Sequence, residues 1–399
     1  METIELCFKR LKKQDIEGVL FFKITYNNKI RQIYTSFRIR INEWDEERRS
    51  IILPCIDNHR YSMLHSMCYN LKWEMKRFEF IVKYYKKNQY SIENVVDAFQ
   101  GNTESGSGWF VFLRMRAEKL YSLKRIRCGE IMDSTLKSFM QFRNGVDLEL
   151  TKVTADLIEQ YEAYLKSRRI TRNTSSFYMR NLRSSYKLAV QENLTIDKQP
   201  FRSVYTGVDK TKKRAISIQD IRNIKFVDLS NRPALDFARD MLMFSFYTRG
   251  MSFVDMAYLC KKDVACGYIM YRRKKTGQRL SIGLVPEIQS IIDKYQNSTQ
   301  YLLPIIIAED GTERQQYRNQ LIRINRHLKK IGIMVGVSIP LSTYVMRHSW
   351  ATIAQNKGIP LSVISEGLGH DSEATTKVYL DSIQKSKVDK ANRLILDSI

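Results

Sequence analysis

A chain of 399 residues is long enough for two or three domains, and its 66 lysines and arginines against 42 aspartates and glutamates leave a formal charge of +24, so a polyanionic partner is the first expectation. The six cysteines are scattered without a Cys-x-x-Cys pair, which argues against a disulfide framework or a zinc ribbon. The N-terminus has no apolar signal core, no apolar run reaches about eighteen residues, and no amphipathic basic helix beside an apolar anchor invites a lipid surface, so a cytoplasmic, nucleoid-associated protein without a membrane partner is expected.

From about Leu6 to Trp44, alternating β-branched and aromatic residues predict about three strands, with Asn27-Asn28 at a turn. Lys23, Arg31, Arg38 and Arg40 occupy its exposed positions and suit a sheet laid against a phosphate backbone, with an ordinary solvated face as the equal alternative. A helix follows from about Arg60 to Lys87, with Met63, Met67, Leu71, Met75, Phe78 and Ile81 at helical intervals. Cys55, His59, His65 and Cys68 lie nearby, but their spacing fits no familiar zinc pattern and no metal is expected. The first domain is placed at residues 1–100, and the polar run GNTESGSG after it reads as a linker.

Four helical segments between Trp109 and about Asn193 predict a small all-helical domain, placed at residues 107–200, with Thr154 and Asn173 as N-caps. Its basic edges include Arg180 and Arg183, enough to grip a duplex through phosphates. A connector from about Lys198 to Arg214 carries Lys210, Lys212, Lys213 and Arg214; it either crosses a DNA backbone or is simply solvated. The third domain, residues 214–399, opens with a helix capped by Ser217 and Asp220. Pro233 to Tyr247 reads as a core helix with Gly250 past its end and Arg249 at its C-terminus. A β-hairpin then turns at Thr276-Gly277, and strand alternation puts Arg273 and Lys275 on one side of it, opposite Arg272 and Lys274.

The stretch from Ser342 to Leu380 concentrates chemistry. Tyr344, Arg347 and His348 share one face of a helix starting at Thr343; His370 follows Gly369, a helix-ending glycine; and Tyr379 comes nine residues later, on a short helix capped by Ser372. A tyrosine can hold a cleaved phosphodiester as a covalent ester. Fixed cations then neutralise the phosphoryl transition state, and a proton donor releases the 5′-oxygen.

Arg347-His348-x-Trp350, then Leu-Gly-His370, then Tyr379 resemble, in order and spacing, the tyrosine recombinases of the phage-integrase family, in the branch found on mobile elements. The resemblance implies a multidomain, mainly α fold with small β elements: an arm-type DNA-binding domain of sheet plus helix, a four-helix SAM-like core-binding domain, and a mixed α+β catalytic domain. It implies Tyr379 as nucleophile, Arg347 as the second catalytic arginine, His370 as the late histidine and Lys275 as the hairpin lysine. Two positions depart from the family pattern. Tyr344 stands where a histidine is usual, and Ser252 falls in the place of the first arginine; Arg273 or Arg249 is the expected substitute, Arg273 slightly favoured by its shared face with Lys275. The implied activity is site-specific cleavage and rejoining of double-stranded DNA, at crossover and arm-type sites, without a cofactor. A homotetramer on two duplexes and DNA-bending accessory proteins are the implied partners. A DNA-binding regulator that kept the fold and lost the chemistry is the alternative.

Overall fold

The computed structural model describes residues 2–10, 16–55, 58–87, 91–100, 108–209, 214–370, 372–377, 393, 396 and 397. The chain divides into two compact units, Met1–Lys210 and Thr211–Ile399.

The first unit opens with three antiparallel strands in the order β1 (Thr3–Arg10), β2 (Glu17–Tyr26), β3 (Lys29–Arg40). Asn27 and Asn28 both take positive φ, the requirement of a tight hairpin turn that asparagine meets more easily than other side chains. A ribbon of β4 (Trp44–Asp45) and β5 (Ser50–Ile51) follows, then α1 (Tyr61–Lys87) and α2 (Ile92–Gln100). Leu20, Phe22, Ile24 and Tyr26 bury one face of the sheet against Leu64, Leu71, Phe78 and Ile81 of α1 and Val95 and Phe99 of α2. The register separates the four basic residues of the sheet. Arg38 and Arg40 pair with Val19 and Glu17, and Lys23 with Gln32, on the open face; Arg31 sits opposite the buried Ile24 and forms an ion pair with Glu93 of α2 at 3.0 Å. Arg31 therefore does not share the open face expected for it.

Four helices, α3 (Trp109–Ser122), α4 (Ile126–Phe142), α5 (Ala155–Ser167) and α6 (Arg172–Gln191), close a second core around Trp109, Phe139, Tyr161 and Tyr186. Thr154 caps α5 by accepting from Leu157 N at 3.3 Å. Asn173 is not a cap: α6 starts one residue before it, and its amide exchanges two hydrogen bonds with the Asp209 backbone, at 3.0 and 2.7 Å. Phe201 and Val204 are buried in the same core, and Ser176 donates to Gly207 O. Residues up to 209 thus belong to the helical body and do not form an open connector. Arg180 is exposed on α6, and Arg183 donates to Thr206 Oγ1 at 3.1 Å. Lys210, Lys212, Lys213 and the linker residues 101–107 lie outside the described residues; Arg214 is exposed.

One buried guanidinium ties the two cores of this unit together. Arg77 of α1 donates to Gly145 O, Ala98 O and Phe99 O at 2.9, 3.1 and 2.6 Å and to Glu74 at 2.7 Å, and Glu74 also takes Arg114 of α3. The two arginines hold the Glu74 carboxyl below its ordinary range although burial opposes them. Buried charge is tolerable only with this degree of pairing.

In the second unit, α7 (Ile218–Phe226) begins with the expected capping box, Ser217 and Asp220 bonding each other's backbone N–H. The central helix α8 (Pro233–Tyr247) has proline in its first turn, where no N–H is missed. It is followed by α9 (Phe253–Ala257) and a sheet in the order β6 (Val264–Ala265), β7 (Tyr268–Arg272), β8 (Arg279–Gly283). Then come α10 (Pro286–Lys294), α11 (Glu313–Met334), α12 (Val345–Asn356), α13 (Leu361–Leu368) and α14 (Glu373–Lys377). Met241, Leu242 and Phe244 of α8 pack with Ile324, Leu328 and Ile331 of α11 and Val345 and Met346 of α12. Trp350 packs on the smaller cluster of Ala351, Ala354, Ile364 and Leu368, joining α12 to α13. No helix among the described residues is long and apolar enough to cross a membrane.

Candidate active site

The end of α8 sets up the site. Thr248 Oγ1 closes the last turn on Phe244 O at 2.7 Å, and Arg249 and Gly250 both take left-handed backbone, φ 60° and 76°. Gly250 is there because a Cβ on it would lie 2.6 Å from Arg347 Cα. Its carbonyl accepts from Arg347 Nη1 at 2.9 Å. Arg347, on α12, is only 3% exposed, and its second nitrogen, Nη2, reaches Leu368 O at 2.5 Å and His370 Nε2 at 3.0 Å.

The chain turns into the site at Gly369, whose left-handed φ of 63° ends α13 as expected of this glycine. A Cβ there would fall 2.9 Å from Leu280 and 3.0 Å from Arg273 Cδ. Arg273, 6% exposed, donates through Nη1 to Gly369 O. Two guanidiniums thus anchor on the two consecutive carbonyls that precede His370.

His370 joins them to α14. Its Nδ1 meets Thr376 Oγ1 at 2.8 Å. Because arginine can only donate, Nε2 is the acceptor in the Arg347 bond, which assigns the ring proton to Nδ1 and makes Thr376 its acceptor. This needs a neutral ring. Burial, then the charges of Arg347, Arg273 and Lys275, push the His370 pKa down to about 4. Relative to the ordinary value of about 6.5, the contribution to stability is full above that value and is lost as pH falls toward the folded value. In the DNA-free protein, the His370 ring resonance, assigned against His370→Gln, is expected to hold its neutral position from about pH 8 to about pH 5; a midpoint near the ordinary value would contradict this arrangement. A bound phosphate would raise the pKa.

The hairpin differs from its sequence reading. Its strands end at Arg272 and Arg279, and Arg273 N→Gln278 O (2.9 Å) with Gly277 N→Arg273 O (2.8 Å) closes a wider loop whose tip holds Lys274, Lys275 and Thr276. Strand alternation therefore stops short of Lys275. Arg273 turns into the interior and Lys275 is exposed at the tip, yet both charges act on His370. Asp255, 4% exposed, fixes this loop: it accepts from Lys274 N at 2.8 Å and from the Ser252 hydroxyl at 2.6 Å. Arg249 Nη1 donates to Ser281 O of β8 at 3.4 Å. Arg249, Arg273 and Arg347 all act on the half-buried Tyr271, whose pKa is raised chiefly by burial and then by Asp255.

Tyr344 is the residue before α12 rather than within it; it is 41% exposed, with its ring edge-on to His348 at 5.2 Å. Ser372 Oγ accepts from Thr375 N at 3.4 Å, the expected cap of α14. Tyr379 lies outside the described residues. The structure thus brings Arg347, His370, Arg273 and the charge of Lys275 together. Thr376 and Asp255 were missed as participants, although Thr376 stands three residues before Tyr379 in sequence and that spacing could have drawn attention to it.

Comparison with known proteins places these elements in one family. Residues 109–210 match the phage integrase SAM-like domain, and residues 238–385 match the phage integrase family itself. Tyrosine recombinase XerC of Leptospira interrogans serogroup Icterohaemorrhagiae serovar copenhageni is 24% identical over 289 residues, 70% of this chain and 89% of that protein. A lambda integrase tetramer bound to a Holliday junction superposes with a TM-score of 0.54 at 13% identity, covering 94% of this chain and 95% of that one. The Tn1549 transposon integrase in complex with a circular intermediate DNA gives 0.50 at 14% identity, over 71% and 99%. With the two domain matches spanning more than half of its length, the chain belongs to the phage integrase family of tyrosine recombinases.

Proposed function

We propose that this chain is a site-specific recombinase that cuts double-stranded DNA with Tyr379 and rejoins it through a 3′-phosphotyrosine. Members of the family break and rejoin DNA, which favours an active enzyme over a regulator that retains only the fold. The observation that carries the residue assignment is the pair of guanidiniums, Arg347 and Arg273, held on Leu368 O and Gly369 O next to His370.

In this mechanism the Tyr379 oxygen attacks the scissile phosphorus as its proton is released to solvent, the bond to the 5′-oxygen breaks, and the tyrosyl ester forms. Arg347 and Arg273 stabilise the charge on the non-bridging oxygens. Lys275, exposed at the hairpin tip, gives a proton to the departing 5′-oxygen. His370 and Tyr344 support the phosphate. The 5′-hydroxyl of a partner strand then attacks the ester, its proton returning to Lys275 while the released tyrosine regains a proton from solvent, so no water is consumed and no cofactor enters the balance.

The open face of the first sheet, with Arg38 and Arg40, is assigned to arm-type sites, and Arg180, Arg183, Lys210, Lys212, Lys213 and Arg214 to the backbone flanking the crossover. Three domains follow these roles, 1–100, a helical domain that runs from 107 past the expected end at 200 because Phe201 and Val204 lie in its core, and 214–399. Four protomers on two duplexes complete the assembly, helped by DNA-bending proteins in the cytoplasm.

The test compares Arg273→Ala with Arg249→Ala on a nicked crossover substrate at equal DNA occupancy. Arg273→Ala should slow cleavage about 10²-fold, the cost of removing one transition-state donor, and Arg249→Ala by less than about tenfold. If Arg249→Ala is the slower enzyme, the first-arginine role belongs to Arg249.

A further inference from the structure

Helix α1 carries an aromatic residue every fourth position, Tyr61, His65, Tyr69 and Trp73, so all four lie along one ridge. Tyr61 and His65 stack at 5.6 Å, and Tyr69 and Trp73 meet edge-on at 6.5 Å. The ridge forms one wall of a cleft of about 960 Å³ whose opposite wall comes from α3 and α4. On the cleft floor, Tyr69 and Tyr121 each donate to one oxygen of Asp133, at 2.5 and 2.6 Å. That carboxylate is therefore occupied by two hydroxyl donors.

The rim is basic. Lys72, Lys124 and Lys137 line the cleft and are exposed, and among the described residues none of the three forms an ion pair. The recombination chemistry uses none of these groups; Tyr69 and Trp73 pack partly against the four-helix core, but that packing accounts for neither Tyr61 and His65 nor the lysine rim.

We propose that this cleft binds an unpaired stretch of DNA strand, with bases against the aromatic ridge and phosphates on Lys72, Lys124 and Lys137. Rings spaced along a helix offer stacking surface only to bases that have left the duplex, since paired bases present edges and hide their faces. Lysines without carboxylate partners suit a mobile backbone. The inference rests on the recombinase reading, because exchanging strands between duplexes requires base pairs to open.

The experiment measures binding of the full chain to a labelled oligothymidylate of about twelve nucleotides and to a hairpin duplex lacking a crossover site, at low salt. Two surface variants are used, Lys124→Glu with Lys137→Glu, and Tyr61→Ala with His65→Ala, with Trp73→Phe as a fluorescence control. The expected result is a loss of oligothymidylate affinity of about tenfold or more, from the cost of one lost base stack, with duplex affinity held within about twofold. Oligothymidylate should also quench tryptophan emission in the wild type and not in Trp73→Phe. Unchanged oligothymidylate binding, or an equal loss for the duplex, overturns the proposal. Neither readout needs strand cleavage: a chain that forms no tyrosyl adduct but binds in this way sinks the recombinase reading alone, and the converse result sinks only the cleft.

Discussion

Arg347→Ala is expected to slow strand cleavage by about 10³-fold or more, the range found when an arginine that meets a phosphoryl transition state is removed. In the proposed mechanism the side chain has two jobs, one at the phosphate and one in holding the fold. Its Nη1 holds Gly250 O and its Nη2 holds Leu368 O, so the alanine variant also leaves two carbonyls without their donor and loosens the loop that carries His370. Arg347→Lys distinguishes the roles. It keeps the charge but cannot reach Gly250 O, Leu368 O and His370 from one planar fork. Cleavage should still fall about 10²-fold or more while affinity for the crossover duplex, measured by filter retention, changes by less than about tenfold, because many phosphate contacts share the binding. A lysine variant that cleaves at the wild-type rate would remove Arg347 from the transition state and leave it a purely structural residue.

Elements governed by local pattern were legible before any coordinates. The four helices from Trp109 to Gln191, the Thr154 cap, the Ser217 capping box, the Pro233 start and the Gly369 stop each follow from residues a few positions apart. Parity within β3 could have excluded Arg31 from the open face, since it is in phase with the buried Ile33 and Ile39 whereas Arg38 and Arg40 are out of phase.

What failed was long-range or depended on where a strand stops. Asn173 looks like a cap but spends its amide on Asp209, and nothing near it in sequence announces that partner. The α2 helix was overlooked although Ile92, Val95, Val96 and Phe99 recur at i, i+3, i+4 and i+7, the spacing of an amphipathic helix. The pairing of Arg273 with Lys275 was argued from alternation, but the strand ends at Arg272. Both cations nonetheless act on His370, Arg273 through the buried loop and Lys275 from the tip. Ser252 was visible only as a missing arginine; its hydroxyl bond to Asp255, and the Asp255 bond to Lys274 N that steadies the hairpin loop, emerged with the fold.

Tyr379→Phe should abolish the covalent intermediate, because phenylalanine keeps the ring and removes the one oxygen that can bond to phosphorus. Folding and DNA affinity should be unchanged, so the loss cannot be attributed to binding. The most direct measurement incubates the protein with a nicked duplex carrying its own crossover site, labelled 5′ of the cleavage point, and resolves the products under denaturing conditions. The account predicts that the labelled fragment migrates with wild-type protein through its 3′ end and is never retained by Tyr379→Phe. An adduct that survives in Tyr379→Phe, or one attached through a 5′ end, would contradict it.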